Sequence, residues 1–511
     1  MKSVRDFKYY RSLKITLHAL YGIFVVIAFV PTALSQASQA ALASQAHSRN
    51  SARADIRTIP ALFISDIHFD PFHDPAKAQE LVAAPVTQWR SILSAPPSSN
   101  QQQTFADLQR SCNARGVDTP YILLDSSLQA MRSRQPDAKF MTVSGDLIAH
   151  AFSCRYTTLV LNSAPGDYEA FVLKTLSFVV DELRSSFPGI PIYIALGNND
   201  TSCGDYQLDA GSSFLAQAGQ IITEGLTPSQ QQQALKDFGE YGNFSITMSG
   251  PMHGTEFISF NDLFLSSRYS TCAGKHDFIA ARRELFWLEQ VLADARRRGQ
   301  KVWFMGHIPP GIDPYTTIAK LKNICGEQAP VKFLSSDKLS DLLVEYADVV
   351  RLGIFAHTHM DEMRLLNSES KGLQSTADHR VAIKMVPSIS PVNGNNPSFI
   401  VARVNPSSAM LQNYKVIAAS NQTGIDATWS VEYDYAQTYH ETEFSPSAVK
   451  ELIEEFKTDR SAKTAVSEAY IRNYFAGDLS SALTPFWPQY VCALEDHTAK
   501  EYSACVCIGA R

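Results

Sequence analysis

Five short apolar runs constrain the fold of this chain more than any other feature of its sequence. They are 61–65, 140–144, 191–196, 301–305 and 351–355. Each has the length and the β-branched or aromatic content of a buried strand. Helical patterns lie between them, such as 168–184 and 278–298. Strands that alternate with helices predict an α/β layered fold.

Each of these runs is followed at once by polar residues that can bind metal. In chain order the ends read Asp66-Ile67-His68, Gly145-Asp146, Gly197-Asn198, Gly306-His307 and His357-Thr358-His359. Ligands bind beyond the carboxyl ends of strands in open α/β sheets, so we expect these ends to converge on one crevice. Nitrogen and oxygen donors without sulfur favour zinc, iron or manganese over calcium. Seven such side chains exceed the needs of one zinc ion, which predicts two divalent cations.

The order of these motifs resembles that of the calcineurin-like metallophosphoesterases. Within that superfamily, the segments 145–150, 357–362 and 390–397 are similar to the acid sphingomyelinase-like branch. The resemblance covers about residues 60 to 405 and extends more weakly to 487–507. It implies a sandwich of two mixed β-sheets flanked by helices, with a small helical C-terminal region. Alternation of strands and helices alone would not separate that sandwich from a doubly wound sheet.

The resemblance also implies how the ligands are divided and which reaction they serve. One metal would be held by Asp66, His68 and His359, the other by Asn198, His307 and His357, with Asp146 bridging the two. Two cations lower the pKa of a bridging water, so that hydroxide can attack the phosphorus of a phosphodiester or phosphoanhydride. We therefore predict a metal-dependent phosphoric ester hydrolase with two divalent cations, zinc first, and iron or manganese as alternatives.

Two further positions are candidate catalytic residues. The branch usually has a histidine after Gly-Asn, but this chain has Asn199, whose amide can donate a hydrogen bond but cannot deliver a proton. His150 matches a second active-site histidine of the branch, and we predict that it is the general acid. A hydrogen-bonded loop histidine is the alternative interpretation. The Gly-Asn-Asn-Asp run at 197–200 is also similar to endopolyphosphatases, which keeps polyphosphate open as a substrate.

The substrate is indicated by what precedes the first strand. Acid sphingomyelinase itself carries a saposin-like lipid-presenting domain there, whereas 36–59 is too short for one and has no cysteine. We therefore expect a small, soluble, nucleotide-type phosphate ester, with sphingomyelin and polyphosphate as alternatives. A hypothesis of another class is a metal-stabilised binding protein that kept the ligands and lost catalysis.

The amino terminus and the cysteines together indicate export. Five basic residues precede an apolar run at 15–34, which predicts a secretory signal over residues 1–35; an uncleaved anchor is the alternative. Eight cysteines, an even number, favour disulfides in an extracellular, periplasmic, lysosomal or vacuolar compartment. They allow 105 connectivities. Cys505 and Cys507 are too close for an easy mutual bridge, so we expect each to pair elsewhere.

The remaining composition sets limits on partners. Lys and Arg number 45 against 51 Asp and Glu, a net charge of −6, so binding to a nucleic-acid polymer is not expected. We see no second apolar segment that could span a membrane, so no stable span remains if the signal is cleaved. We divide the chain into a leader (36–59), a catalytic domain (60–444) and a helical, cysteine-containing region (445–511). The sequence does not set the oligomeric state.

Overall fold

Two six-stranded β-sheets form the centre of the structure, a computed structural model that describes residues 57–367 and 379–508. The predicted signal peptide and nearly all of the predicted leader lie outside the described residues. The strands are β1 (Ile59–Ile64), β2 (Met141–Ser144), β3 (Ile192–Ala195), β4 (Phe244–Thr247), β5 (Thr255–Ser259), β6 (Lys301–Met305), β7 (Val350–Phe355), β8 (Glu362–Asn367), β9 (Arg380–Met385), β10 (Ser398–Asn405), β11 (Met410–Ala419) and β12 (Trp429–Asp434). All five predicted strands are therefore confirmed.

Both sheets are mixed, as expected. The first has the order β12-β11-β10-β1-β2-β3, in which β1, β2 and β3 run parallel and the other neighbours are antiparallel. The second has the order β4-β5-β6-β7-β9-β8, with β5, β6, β7 and β9 parallel. The parallel strands are buried along almost their whole length, which explains why they read as continuous apolar runs.

Helices flank the two sheets. Within the described residues, the α-helices are α1 (Ala78–Ala83), α2 (Val86–Ser94), α3 (Gln101–Ser111), α4 (Tyr121–Arg134), α5 (Phe152–Leu159), α6 (Asp167–Ser186), α7 (Ser213–Ile222), α8 (Pro228–Tyr241), α9 (Phe278–Arg297), α10 (Pro314–Ala319), α11 (Lys338–Glu345), α12 (Tyr435–Tyr439), α13 (Pro446–Thr458), α14 (Ala465–Tyr474), α15 (Trp487–Ala493) and α16 (Ala499–Val506). Short 3₁₀ helices lie at Pro75–Lys77, Gly250–Met252, Asp262–Leu265, Ile324–Gly326 and Asp478–Phe486. None of the helices in the described part of the chain combines the length and hydrophobicity needed to cross a membrane.

Aromatic side chains join the two sheets face to face. Trp303 on β6 is fully buried and meets the rings of Phe63 and Phe140 edge to face, at centroid distances of 5.8 and 5.6 Å. Tyr193 on β3 stacks on Phe257 on β5 at 4.5 Å. Edge-to-face and offset pairs of this kind add specific geometry to apolar burial. The sheets thus form the predicted sandwich, and its core fixes how the strand ends of one sheet face those of the other.

The helices after residue 445 pack over β8 and β9. The backbone N–H of Asp361 donates to the carbonyl of Tyr474 (3.0 Å), and that of Leu365 donates to the carbonyl of Leu494 (2.8 Å). Beneath them, Lys384 is buried and pairs with Asp361. The C-terminal helices are therefore bonded to the strand that follows the His-x-His segment, and the domain boundary placed at residue 444 stays a prediction.

All eight cysteines form disulfides. The pairs are Cys112–Cys154, Cys203–Cys272, Cys325–Cys507 and Cys492–Cys505. Cys505 and Cys507 thus pair with different partners, as predicted from their spacing. The last two bridges staple the final helix to the rest of the chain, because one joins α16 to α15 and the other reaches back 182 residues.

Candidate metal centre

The loops after five parallel strands meet at one end of the sandwich. Three of these strands, β1, β2 and β3, are neighbours in the first sheet, and β6 and β7 are neighbours in the second. Parallel neighbours end on the same edge, so their loops lie side by side. The structure brings together all seven predicted ligands there, namely Asp66, His68, Asp146, Asn198, His307, His357 and His359.

Asp146 lies at the centre of this cluster. Its Oδ2 is 3.4 Å from Nε2 of His68 and 3.2 Å from Nε2 of His307. These two histidines come from different sheets, so one carboxylate oxygen stands between donors of both. This is the position that a carboxylate shared by two cations would require.

We call Asp66, His68 and His359 the first ligand set. Oδ1 of Asp66 is 3.7 Å from Nε2 of His68 and 3.5 Å from Nε2 of His359. The Nδ1–H of His68 donates to the backbone carbonyl of Ile148 (3.0 Å), which leaves Nε2 as the nitrogen free to ligate. All three ligands are buried.

We call Asn198, His307 and His357 the second ligand set. Nε2 of His307 is 3.1 Å from Oδ1 of Asn198. The Nδ1–H of His307 donates to the carbonyl of Ser144 at the end of β2 (2.7 Å), so its Nε2 also points to the cluster. Donor atoms of His307, His357 and Asp146 lie within 4.8 Å of one another.

The separations between the donor atoms suit a shared cation better than they suit direct hydrogen bonds. Oδ1 of Asp66 and Nε2 of His68 are buried without a hydrogen-bond partner, although they lie only 3.7 Å apart. Buried polar atoms are normally satisfied, so such orphans call for a ligand. Two atoms each about 2.1 Å from a tetrahedral zinc are about 3.4 Å apart, which matches the separations observed here. The residues present therefore fit a pair of divalent cations.

The backbone at the cluster is held in an uncommon conformation. Five of the seven candidate ligands have positive φ: Asp66 (44°), His68 (45°), Asp146 (55°), His357 (73°) and His359 (69°). Residues with side chains seldom adopt this left-handed region, and each instance costs about 1–3 kcal/mol. Such strain persists where the surrounding structure imposes it, and it gathers at functional sites.

Close packing of the loops explains two of the motif glycines. A Cβ on Gly197 would collide with the carboxylate of Asp146, and a Cβ on Gly306 would collide with that of Asp262. Asp262 in turn accepts the backbone N–H groups of His307 (2.8 Å) and Ile308 (3.0 Å). The glycines therefore let buried carboxylates approach the strand ends and hold the ligand-bearing loops.

The electrostatics of the metal-free cluster are dominated by burial and by its carboxylates. Burial alone would lower the pKa of His68 and His307, but the negative charge of Asp146 and its neighbours raises the pKa of His68 to about 9 and of His307 to about 10. Burial lowers the pKa of His357 and of His359 to about 3. Each ligand set thus holds one histidine that attracts a proton and one that rejects it.

His150 lies beside the first ligand set. Its ring stacks on that of His68 at a centroid distance of 3.9 Å, and its side chain is 33% exposed. The Nδ1–H donates to Oδ1 of the buried Asp118 (2.9 Å), and the backbone N–H donates to Oδ2 of the same carboxylate (2.9 Å). Burial opposes the charge on Asp118, yet His150 holds the pKa of that carboxyl below its usual value. His150 is therefore oriented, with Nε2 available at the edge of the cluster.

Asn199 faces the central carboxylate. Its backbone N–H donates to Oδ1 of Asp146 (2.8 Å), and its side-chain amide donates to Oδ2 (2.8 Å). The amide thus holds Asp146 in place from the position where the branch usually has a histidine. This contact gives Asn199 a positioning part and leaves proton transfer to other groups.

Four residues outside the motifs also belong to the site: Asp118, Asp205, Tyr206 and Arg268. Asp118 supports His150, as described above. Asp205 accepts a hydrogen bond from Nδ2 of Asn198 (2.7 Å), and the hydroxyl of Tyr206 lies 3.1 Å from Nε2 of His357. The sequence carried no motif for any of them, because only the folded chain brings them to their partners.

The chain is similar to known proteins along most of its length. Residues 59–361 match the family described as calcineurin-like phosphoesterase. The cyclic GMP-AMP phosphodiesterase SMPDL3A of Mus musculus is 23% identical over 457 residues, which are 87% of this chain and 90% of the relative. The acid sphingomyelinase-like phosphodiesterase 3b of Homo sapiens is 25% identical over 406 residues (76% and 80%). Among solved structures, a dimetal phosphatase from Danio rerio has a TM-score of 0.36 and 11% identity, with 73% of this chain and 98% of that chain covered.

Proposed function

The chain belongs to the calcineurin-like phosphoesterase family and is a phosphoric ester hydrolase, and from this premise we propose that it is a binuclear phosphodiesterase acting on small, soluble, nucleotide-type substrates. One observation carries the two-metal part: a single oxygen of Asp146 lies 3.4 and 3.2 Å from donor nitrogens of the two ligand sets. The substrate class is supported by the mouse relative, which is named for a cyclic dinucleotide and aligns along 87% of this chain.

Two divalent cations would be held by the first and second ligand sets, with Asp146 shared between them. Zinc suits these nitrogen and oxygen donors best, with iron or manganese as alternatives. When bound, such cations lower the pKa of water and neutralise charge on the phosphoryl oxygens. The protein's own part is to present the histidine nitrogens and to hold the shared carboxylate. The carbonyls of Ile148 and Ser144 accept the Nδ1–H groups of His68 and His307, and the side-chain amide of Asn199 donates to Asp146.

We assign the general acid to His150. Its Nδ1–H is engaged by Asp118, so the proton delivered to the leaving oxygen would be carried on Nε2. A proton at that atom would be replenished from solvent, because the side chain is 33% exposed. Asp118 would orient the ring, as a carboxylate does behind many catalytic histidines.

We place the enzyme outside the cytosol. This location is supported by the cysteines, because all eight are paired in four disulfides and disulfides persist in oxidising compartments. The signal predicted over residues 1–35 would deliver the chain to a secretory, periplasmic or lysosome-like compartment.

The test is hydrolysis by the purified exported chain. Substrates would be a cyclic dinucleotide, a nucleoside triphosphate, polyphosphate and sphingomyelin, each assayed with chelator and with added zinc. We expect chelator-sensitive cleavage that is fastest on a nucleotide substrate. Sphingomyelin or polyphosphate as the fastest substrate would overturn the substrate class. If a folded chain that carries two metals cleaves none of these substrates, the proposed enzymatic function is wrong and a binding protein is favoured.

A further inference from the structure

A short loop, Cys203–Asp209, lies against the second ligand set. The Cys203–Cys272 disulfide closes it onto a second segment, and a backbone bridge between Gln207 and Ser270 adds to this closure. Within the loop, the backbone N–H of Tyr206 donates to the carbonyl of Asn198 (3.0 Å). The backbone of the loop is thus bonded directly to a residue of the second ligand set.

Tyr206 is placed to determine which nitrogen of His357 can ligate. Its side chain is buried and its φ is 60°, a conformation that a bulky residue rarely adopts. The hydroxyl lies 3.1 Å from Nε2 of His357. A metal-bound histidine usually donates its other ring N–H to a fixed partner. With Nε2–H donated to the Tyr206 hydroxyl, Nδ1 of His357 is left for the cation.

Asp205, the preceding residue, acts on a different ligand of the same set. Its Oδ1 accepts a hydrogen bond from Nδ2 of Asn198 (2.7 Å). An amide offers its oxygen to a metal only when its nitrogen is turned away, and this bond turns it away. The carbonyl oxygen of Asn198 accordingly points to His307, 3.1 Å from Nε2.

Arg268 ties the two neighbours together from outside. Its guanidinium lies 4.0 Å from the ring centroid of Tyr206, and one nitrogen is 3.4 Å from Oδ2 of Asp205. The side chain is 59% exposed, so each contact by itself is weak. Together they restrict both side chains to the orientation that faces the second ligand set.

We propose that Asp205 and Tyr206 are positioning residues that set the affinity of the second ligand set for its cation and leave the first set unaffected. The proposal rests on the two-metal site of the proposed function. Removal of an outer partner typically costs about 10–100-fold in metal affinity. The loss should fall on one of the two bound ions.

The experiment is a chelator competition on the full-length exported chain loaded with zinc, with zinc per chain measured after dialysis. Wild type should give two dissociation constants. In Tyr206→Phe we expect one of them to rise about 10–100-fold and the other to stay unchanged. The matched control is Tyr269→Phe, which removes a buried hydroxyl bonded to the carbonyl of Leu208 in the same loop region (3.1 Å) and should alter neither.

A second pair of variants keeps the test independent of Tyr206→Phe folding well. Asp205→Ala should raise the same constant, and Asp205→Asn, which keeps an oxygen acceptor, should largely restore it. Two unchanged constants, or two constants raised equally, would overturn the positioning proposal. A folded wild-type chain that binds no zinc would instead overturn the proposed function.

Discussion

The two ligand sets offer similar donor atoms and differ in the side chains that support those donors. In each set one histidine donates to a backbone carbonyl, His68 to that of Ile148 and His307 to that of Ser144. In the second set, His357 and Asn198 depend on the side chains of Tyr206 and Asp205, which come from a disulfide-closed loop. Backbone support is fixed by the strands, whereas side-chain support can be altered one residue at a time.

The sets also differ in what stands beside them. His150 and Asp118 lie next to the first set, and Arg268 lies beyond the second. Each side has its own disulfide: Cys112–Cys154 includes a residue of α5, the helix that follows His150, and Cys203–Cys272 closes the loop of Tyr206. Proton delivery by His150 would thus belong to one side of the site, and adjustable metal affinity to the other.

The largest effect should come from the residue that both sets share. Asp146→Ala removes the oxygen between His68 and His307, so we expect the loss of both cations and at least about a thousandfold fall in kcat/KM. Metal content and hydrolysis of bis(p-nitrophenyl) phosphate measure the two effects. Asp294→Ala, at an exposed acid that pairs with Arg297, is the control and should change neither. Two metals retained in Asp146→Ala would show that the sets are independent.

His150→Ala should separate chemistry from metal binding on the first side. We expect metal content to stay at two, while the rate on a diester with a nucleoside leaving group falls about a hundredfold or more. A p-nitrophenyl leaving group needs little protonation, so its rate should fall far less. His253→Ala, at an exposed histidine on another loop, is the control. An equal loss on both substrates would contradict the general-acid assignment.

The pH dependence should be the same for the two sets. The raised pKa values of His68 (about 9) and His307 (about 10) mean that each set carries one proton near neutral pH when it is metal-free. A cation must displace that proton, so its affinity should weaken about tenfold for each unit of pH decrease below about 9. Zinc titrations at pH 6, 7 and 8 would measure the slope. A slope in one set only would show that the sets differ at the cation as well.

The smallest effect should come from the disulfides. In Cys203→Ser/Cys272→Ser we expect a few-fold weaker binding of one zinc, because the loop that carries Asp205 and Tyr206 is no longer closed covalently. The matched control is Cys112→Ser/Cys154→Ser, which loosens the other side and should leave both zinc affinities unchanged. Zinc per chain under graded chelator concentrations measures both. Weaker zinc binding in the control would remove the distinction between the two sides.

The strands, and the polar side chains that the fold gathers at their ends, could be predicted from the sequence for a shared physical reason. A buried parallel strand must be apolar along its length and must end in a turn, so the run and the polar residue after it are visible together, as at Phe140 to Asp146. The contact between Tyr206 and His357 could not be predicted in this way, because the two residues are 151 positions apart. Pairing of side chains across such a distance is set by tertiary packing, which leaves no local pattern.

Asn199 shows a second kind of limit. Its residue type predicts that it cannot deliver a proton, and only the structure shows that its amide is bonded to Asp146. The cysteines are similar, since their number indicated disulfides while the choice among 105 connectivities needed the fold. The type of a residue indicates which chemistry it can perform, and its contacts in the folded chain determine whether it performs that chemistry.

The attachment of the C-terminal helices to the His-x-His segment has a consequence for biosynthesis. All seven candidate ligands have been translated once the ribosome passes His359. The hydrogen bond from Asp361 to Tyr474 and the Cys325–Cys507 disulfide can form only after the C-terminal residues have been made. A product truncated before Tyr474 would therefore carry every candidate ligand and lack these two connections. The segment that follows the His-x-His motif therefore gains these bonds only after the C-terminal helices have been made and folded.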